Sequence, residues 1–186
     1  TKHFAVLWDR GPVALISSSD GVNWRRRDVD LSGFGPPETR TIFDVAHWSG
    51  GWVAVGSSGR SADRDAAVWM STDGISWNEA MDATGVSGGP GNQRWSQVTA
   101  WRDGLLVLGS SGDSPGAWTS SDGVSWSPLA ASGLGLEANA IGPYGDEGQF
   151  WVGLMPSDSG LVAFSHEWVC SGADPGEDDG EWNAVR

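Results

Sequence analysis

An all-β chain built from repeated four-stranded antiparallel units is the fold class this sequence predicts, and three observations predict it. Ser71-Thr72-Asp73-Gly74-Ile75-Ser76-Trp77 returns as Ser120-Ser121-Asp122-Gly123-Val124-Ser125-Trp126, and stands upstream as Ser18-Ser19-Asp20-Gly21-Val22-Asn23-Trp24. Landmarks between the copies keep step: Trp48, Gly51 and Gly56 recur 53 residues later as Trp101, Gly104 and Gly109. Glycine (28 of 186 residues) and tryptophan (13) are abundant, which suits many short strands and turns. No helical 3.6-residue periodicity of useful length competes with this pattern.

Taken in order, residues 3–8, 12–18 and 22–29 read as the second, third and fourth strands of a unit that lacks its first. Residues 41–48 open a full unit. Residues 52–57 are nearly all apolar, as expected of a strand buried on both faces. A polar loop at 58–64 leads to a strand at 65–71, and a fourth starts at Ile75. The next unit gives strands near 95–101, 104–110, 116–120 and 124–129. Trp69 recurs 49 residues later as Trp118, so four residues are lost after Gly109, which reads as a shortened loop. Ala138–Ile141 reads as the first strand of a last unit. Gly148–Gly153 matches Gly104–Gly109 at an offset of 44, residues 160–169 give a third strand, and Glu181-Trp182-Asn183 restarts a fourth after the acidic loop 171–180.

Four antiparallel strands per repeat of about 50 residues describe a β-propeller blade. The whole of 1–186 is therefore expected to be one propeller domain or segment, with blades at 1–31, 38–83, 92–130 and 136–186. In each repeated corner, Asp-Gly supplies a tight turn, because glycine accepts positive φ and aspartate bonds the turn backbone. An open arc of blades leaves edges and faces exposed. The chain is expected to be a segment of a larger propeller whose remaining blades lie on another chain or were removed; otherwise the ring is completed by self-association, by another chain, or by a first strand from outside this sequence.

The charge balance of 11 basic against 24 acidic residues, net −13, repels a phosphate backbone and excludes nucleic acid as the expected partner. Arg25-Arg26-Arg27, the one basic cluster, reads as a solvated strand end. No apolar run is long enough to span a membrane as a helix, and Thr1 opens no leader pattern. A start other than Met leads us to expect a processed or partial N-terminus. Cys170 is the lone cysteine, so neither an internal disulfide nor a cysteine zinc site is expected. No cofactor or metal is expected.

The repeated corners resemble the Asp-box (BNR-repeat) propellers, a superfamily that includes sialidases, sortilin-type receptors and several glycoside hydrolases. The usual box runs Ser-x-Asp-x-Gly-x-x-Trp; all three copies here are one residue shorter between Asp and Gly. The resemblance implies that the boxes sit at outer hairpins between third and fourth strands, away from the ligand face. It gives Ser18, Asp20, Gly21 and Trp24, with Ser71, Asp73, Gly74, Trp77, Ser120, Asp122, Gly123 and Trp126, structural roles.

Candidate binding residues lie at the inner strands instead. Arg40 and Arg94 stand 54 residues apart at what read as equivalent strand starts. A sialidase-like site needs three arginines on a carboxylate and a tyrosine nucleophile; no third arginine matches, and Tyr144 is the single tyrosine. Asp44 and Glu137 are the acidic candidates for a glycosidase pair, and Gln97 completes the lining. Gly85-Val86-Ser87-Gly88-Gly89 fits the G-x-S-x-G nucleophile elbow by letters but needs a strand entering a helix. His3, His47 and His166 lack ligand spacing. The run Asp174–Glu181 fails the EF-hand pattern. Trp48, Trp95 and Trp101 at inner-strand ends suit either sugar stacking or packing between blades. The expected function is non-catalytic: an extracellular or cell-surface module or scaffold binding a protein or glycan ligand. The alternative is a sialidase-like glycoside hydrolase whose site needs further blades.

Overall fold

The computed structural model describes residues 3–7, 14–18, 20–60, 63–80, 85–112, 114–130, 147–157 and 160–169. Four antiparallel sheets follow one another along the chain. β1 (His3–Leu7), β2 (Ala14–Ser18) and β3 (Arg25–Arg27) form the first. β4 (Arg40–Trp48), β5 (Gly51–Arg60), β6 (Asp63–Ser71) and β7 (Asn78–Ala80) form the second. β8 (Gln93–Trp101), β9 (Gly104–Ser111), β10 (Ser114–Ser120) and β11 (Ser127–Pro128) repeat it, and β12 (Glu147–Ser157) pairs with β13 (Gly160–Val169). Among the described residues the only helical turns are two 3-10 turns, Ser32–Phe34 and Pro37–Thr39, between the first two sheets.

The repeated corners join third to fourth strands, and each is closed by its own side chains. Ser71 Oγ donates to Asp73 Oδ1 (3.0 Å) and accepts from the Gly74 N–H (2.8 Å), while Asp73 Oδ1 accepts from the N–H groups of Ile75 (2.7 Å) and Ser76 (2.9 Å). The corner at Ser120–Ser125 repeats these bonds, as does Ser18–Asn23. Gly21, Gly74 and Gly123 take φ of +76°, +72° and +78°, which an L side chain rarely adopts. The bonds also explain why the fourth strands start later than expected. N–H groups held by the aspartate cannot join a ladder, so β7 begins at Asn78 and β11 at Ser127.

The expected polar loop at 58–64 is instead a long hairpin. β5 and β6 pair out to Arg60 and Asp63, and β9 and β10 out to Ser111 and Ser114, so both turns hold two residues. The four residues missing from the third sheet were taken two from each arm. An even step preserves the alternation of faces.

That alternation builds the core. On the second sheet, Ile42, Trp52, Ala54, Ala67, Trp69 and Trp77 pack with Phe34, Val29 and Leu31 of the connection that follows the first sheet. Val53, Val55, Val68 and Trp48 face the third sheet, which answers with Trp95, Val98, Leu105, Val107, Trp118 and Trp126. Leu106, Leu108 and Ala117, with Trp101 against them, line the far face of the third sheet. At about 1.5–3 kcal/mol per large side chain removed from water, these seams dominate the stability. Trp95 packs 4.7 Å from Trp126 and 5.5 Å from Trp118, ring centre to ring centre. Trp48 and Trp95 are buried in this seam and present no face to a sugar.

Candidate ligand-binding face at the inner strands

β4 and β8 are the inner edges of their sheets, each paired on one side only. Each carries a bulge at the same place, between Ile42 and Asp44 in β4 and between Trp95 and Gln97 in β8. Opposite each bulge stands a glycine, Gly56 or Gly109. A Cβ there would land on the carbonyl oxygen of Thr41 or Arg94. The bulge is therefore written into the sequence twice, as a glycine on the neighbouring strand.

Register corrects the expected equivalence of the two arginines. Gly56 pairs with Ile42 and Gly109 with Trp95, so Arg40 stands where the next sheet has Gln93, and Arg94 stands where the previous sheet has Thr41. One residue along a strand is the opposite face. Arg40 turns back beneath its own entry segment, where Nη1 donates to the carbonyl oxygens of Leu31 (3.0 Å) and Gly35 and the guanidinium lies 5.5 Å from the Phe34 ring. Burial holds its pKa below the ordinary arginine value, against the pull of Glu38. Gln93 does the same work in the next sheet, donating from Nε2 to the Pro90 carbonyl (3.1 Å).

Arg94 is exposed. Its guanidinium lies 5.2 Å from the centre of the Phe43 ring, which rides on the β4 bulge and is 39% exposed. Around the pair, Arg64 Nη1 donates to Thr41 Oγ1 (2.9 Å) and the Arg64 N–H donates to Asn92 Oδ1 (3.1 Å). The Ala66 N–H donates to the Ser87 carbonyl (2.8 Å), tying the connection at 85–92 to β6. Gly85–Gly89 thus runs from one sheet towards the next strand, with no helix behind Ser87 to make a nucleophile elbow.

Asp44 bridges the two inner strands. Oδ1 accepts the Val45 N–H (2.8 Å) and Oδ2 accepts the Val98 N–H on β8 (2.9 Å). Burial pushes its carboxyl above the ordinary value, with the Val98 and Val45 N–H groups pulling the other way. Gln97 occupies the equivalent register on β8. Glu137 and Tyr144 lie outside the described residues, as do Cys170 and the acidic run Asp174–Glu181. His47 is exposed on β4, its ring 4.5 Å from that of Trp52; His3 and His166 lie on β1 and β13, in other sheets.

Phe43, Arg64 and Asn92 are the residues that sequence reasoning passed over. The signal for Phe43 was present: Ile42-Phe43 sets two apolar residues side by side where a half-buried strand should alternate, which is how a bulge reads.

With this geometry in place, known structures give the architecture. Over 90% of its length the chain superposes on the GH32 β-fructofuranosidase BmSUC1 of Bombyx mori, with a TM-score of 0.57 and 16% identity, covering 39% of that enzyme. A sucrose complex of a mutant of the same enzyme gives 0.56 at 17% identity, with 88% of this chain and 38% of that one covered. The third structure comes from work on the GH130 family of mannoside phosphorylases, described as containing glycoside hydrolases that target β-1,2 mannosidic linkages in Candida mannan. It gives 0.52 at 15% identity, with 81% and 50% covered. The chain has the β-propeller fold. It spans half or less of the length of these propeller proteins, and at such identities the likeness carries the fold alone. No protein-family model matches the sequence, and no curated protein matches it. The four sheets are therefore blades, and β4 and β8 are their inner strands.

Proposed function

We propose that this chain is a non-catalytic, glycan-binding part of a propeller of the Asp-box type, working outside the cell or at its surface. The observation that carries this reading is how the inner strands use their charges. Arg40 and Asp44 are occupied by backbone groups, whereas Arg94 lies exposed on the Phe43 ring at the seam of two blades. An aromatic ring holding an exposed guanidinium in place is a preorganised site for sugar hydroxyls or acidic groups. Among the described residues the inner strands hold no second carboxylate opposite Asp44 of the kind glycoside hydrolysis requires. The likeness to sucrose- and mannan-directed propellers favours a glycan over a protein ligand.

A glycan array followed by calorimetry on the strongest hit tests the proposal. Arg94→Ala is expected to weaken binding about tenfold, the value of one charge-assisted hydrogen bond. Arg40→Ala should act on stability more than on affinity. Binding unmoved by Arg94→Ala would remove this face from the function. The same likeness favours a second reading, a glycoside hydrolase whose site needs further blades. Release of reducing sugar from the bound glycan would establish it in place of the first.

A further inference from the structure

Five Asp-Gly pairs occur in the sequence: Asp20-Gly21, Asp73-Gly74, Asp103-Gly104, Asp122-Gly123 and Asp179-Gly180, the last outside the described residues. Such pairs carry a reaction of their own, because a glycine nitrogen has no side chain to shield it from the carboxyl before it. Three of the pairs are the repeated corners, and there both partners are tied down. In each, the glycine N–H donates to the serine Oγ at 2.8 Å. The aspartate Oδ1 accepts from the serine hydroxyl and from two N–H groups beyond the glycine. These bonds aim the carboxyl past the glycine and hold it ionised, its poorer form as an electrophile.

Asp103 differs. It is exposed in the two-residue turn between β8 and β9, closed by the pairing of Trp101 with Gly104, and among the described residues its carboxylate accepts none of the corner bonds. Packing fixes the glycine after it, since a Cβ on Gly104 would land on the Ser120 carbonyl oxygen. In the second sheet the counterpart of Asp103 is Gly50, where a Cβ would run into the Trp48 ring, so that turn does not admit an aspartate. The turn in the third sheet is also strained. Arg102 is the one non-glycine residue with positive φ among the described residues (54°), at a hairpin position that favours glycine.

We propose that Asp103 is a site of spontaneous isomerisation to isoaspartate in the folded protein. The Gly104 nitrogen attacks Asp103 Cγ, the nitrogen's proton and the carboxyl hydroxyl leave as water, and a five-membered succinimide closes. Water then adds to the backbone carbonyl of Asp103 and breaks its bond to the Gly104 nitrogen, so that the chain continues through Cβ and Cγ. One water is lost and one is gained, and the mass is unchanged. Reaction here needs only the end pair of a hairpin to open, whereas a corner must give up all its side-chain bonds at once. The product adds one backbone atom to the turn, which lets Arg102 leave the left-handed region.

The full chain, held folded for weeks at neutral pH and body temperature beside a sample kept in urea, tests this by isoaspartyl-methyltransferase labelling and peptide mapping. In the folded protein isoaspartate at Asp103 is expected to exceed that at any of the three corners about tenfold or more, because the corner bonds must open together before the ring can close. In urea the corners should catch up with Asp103. Folded protein that forms no isoaspartate at Asp103, or as much at the corners, overturns the proposal. Corners that stay unreacted in urea overturn it too, since their bonds would then not be what protects them.

Discussion

Replacing Asp44 separates the two things its carboxylate does. It satisfies the N–H groups of Val45 and Val98, and it places a charge where burial opposes one. Alanine removes both acceptors. Val98 is buried in the seam between blades, so its orphaned N–H costs about 1–3 kcal/mol, while Val45 is half-buried and loses less. Relief of the disfavoured charge offsets part of this. The expected net loss is about 1–2 kcal/mol, or about 2–8 °C in Tm for a chain of this size. Asparagine keeps one acceptor oxygen and discards the charge, so Asp44→Asn should lose less than Asp44→Ala. The wild-type protein carries a pH dependence of definite sign. The folded pKa of Asp44 is raised, so its contribution is most favourable below the unfolded value and declines as pH rises through the folded one. Asp44→Asn should lack that decline. Calorimetric melts at about pH 4 and about pH 8 decide the matter. An alanine variant as stable as wild type would show that the bond to Val98 contributes nothing, and identical alanine and asparagine variants would refute the separation of bond from charge.

Three further outcomes follow from the same geometry. Trp126→Ala empties a fully buried site in the seam between blades and should cost about 3–5 kcal/mol in urea unfolding, whereas Trp24→Ala, at a site 42% exposed, should cost well under half of that. Gly109→Ala sets a Cβ against the Arg94 carbonyl on a bulge that cannot yield, and should lose about 3 kcal/mol or more, or fail to give soluble protein. The corners define an acid limit. The N–H groups of Ser125 and Val124 hold the Asp122 carboxyl down at about 2 against an ordinary 3.8, and Asp73 is lowered mainly by the N–H groups of Ile75 and Ser76. In Asp20 the Asn23 side-chain amide, which donates to Oδ2 (2.7 Å), contributes most. Because these folded values lie below the unfolded one, the corners stabilise fully above it and lose that contribution as pH falls through the folded values. Asp122→Asn should flatten the loss of stability between about pH 4 and about pH 2, read by circular dichroism.

The blades were legible in the sequence because three corners and two sets of landmarks repeat at nearly fixed spacing, and a repeat fixes topology without any knowledge of contacts. The inner face was less legible. An offset of 53 makes Gln93 the partner of Arg40, but matching arginine to arginine sets the alignment off by one residue. On a strand that small error reverses the side on which a charge is placed. Asp44 was singled out correctly as lying on an inner strand, yet its bond to Val98 crosses 54 residues to a backbone group, which no pattern of side chains reveals. Trp48 and Trp95 were ambiguous between sugar stacking and packing until the seam was seen, since tryptophan serves both uses.

The hairpins opposite the corners carry one more lesson, about how such a blade can change. β5–β6 outreaches β9–β10 by two residues on each arm, yet every seam residue keeps its side. Insertions added in such balanced pairs raise or lower the rim around the inner strands without turning a single core side chain outward. An unpaired insertion within one arm would put the residues beyond it out of step with the facing arm. The height of the rim is thus free to drift in even steps while the packing beneath it stays fixed, so related blades can differ in how deep a recess they surround and still stack alike.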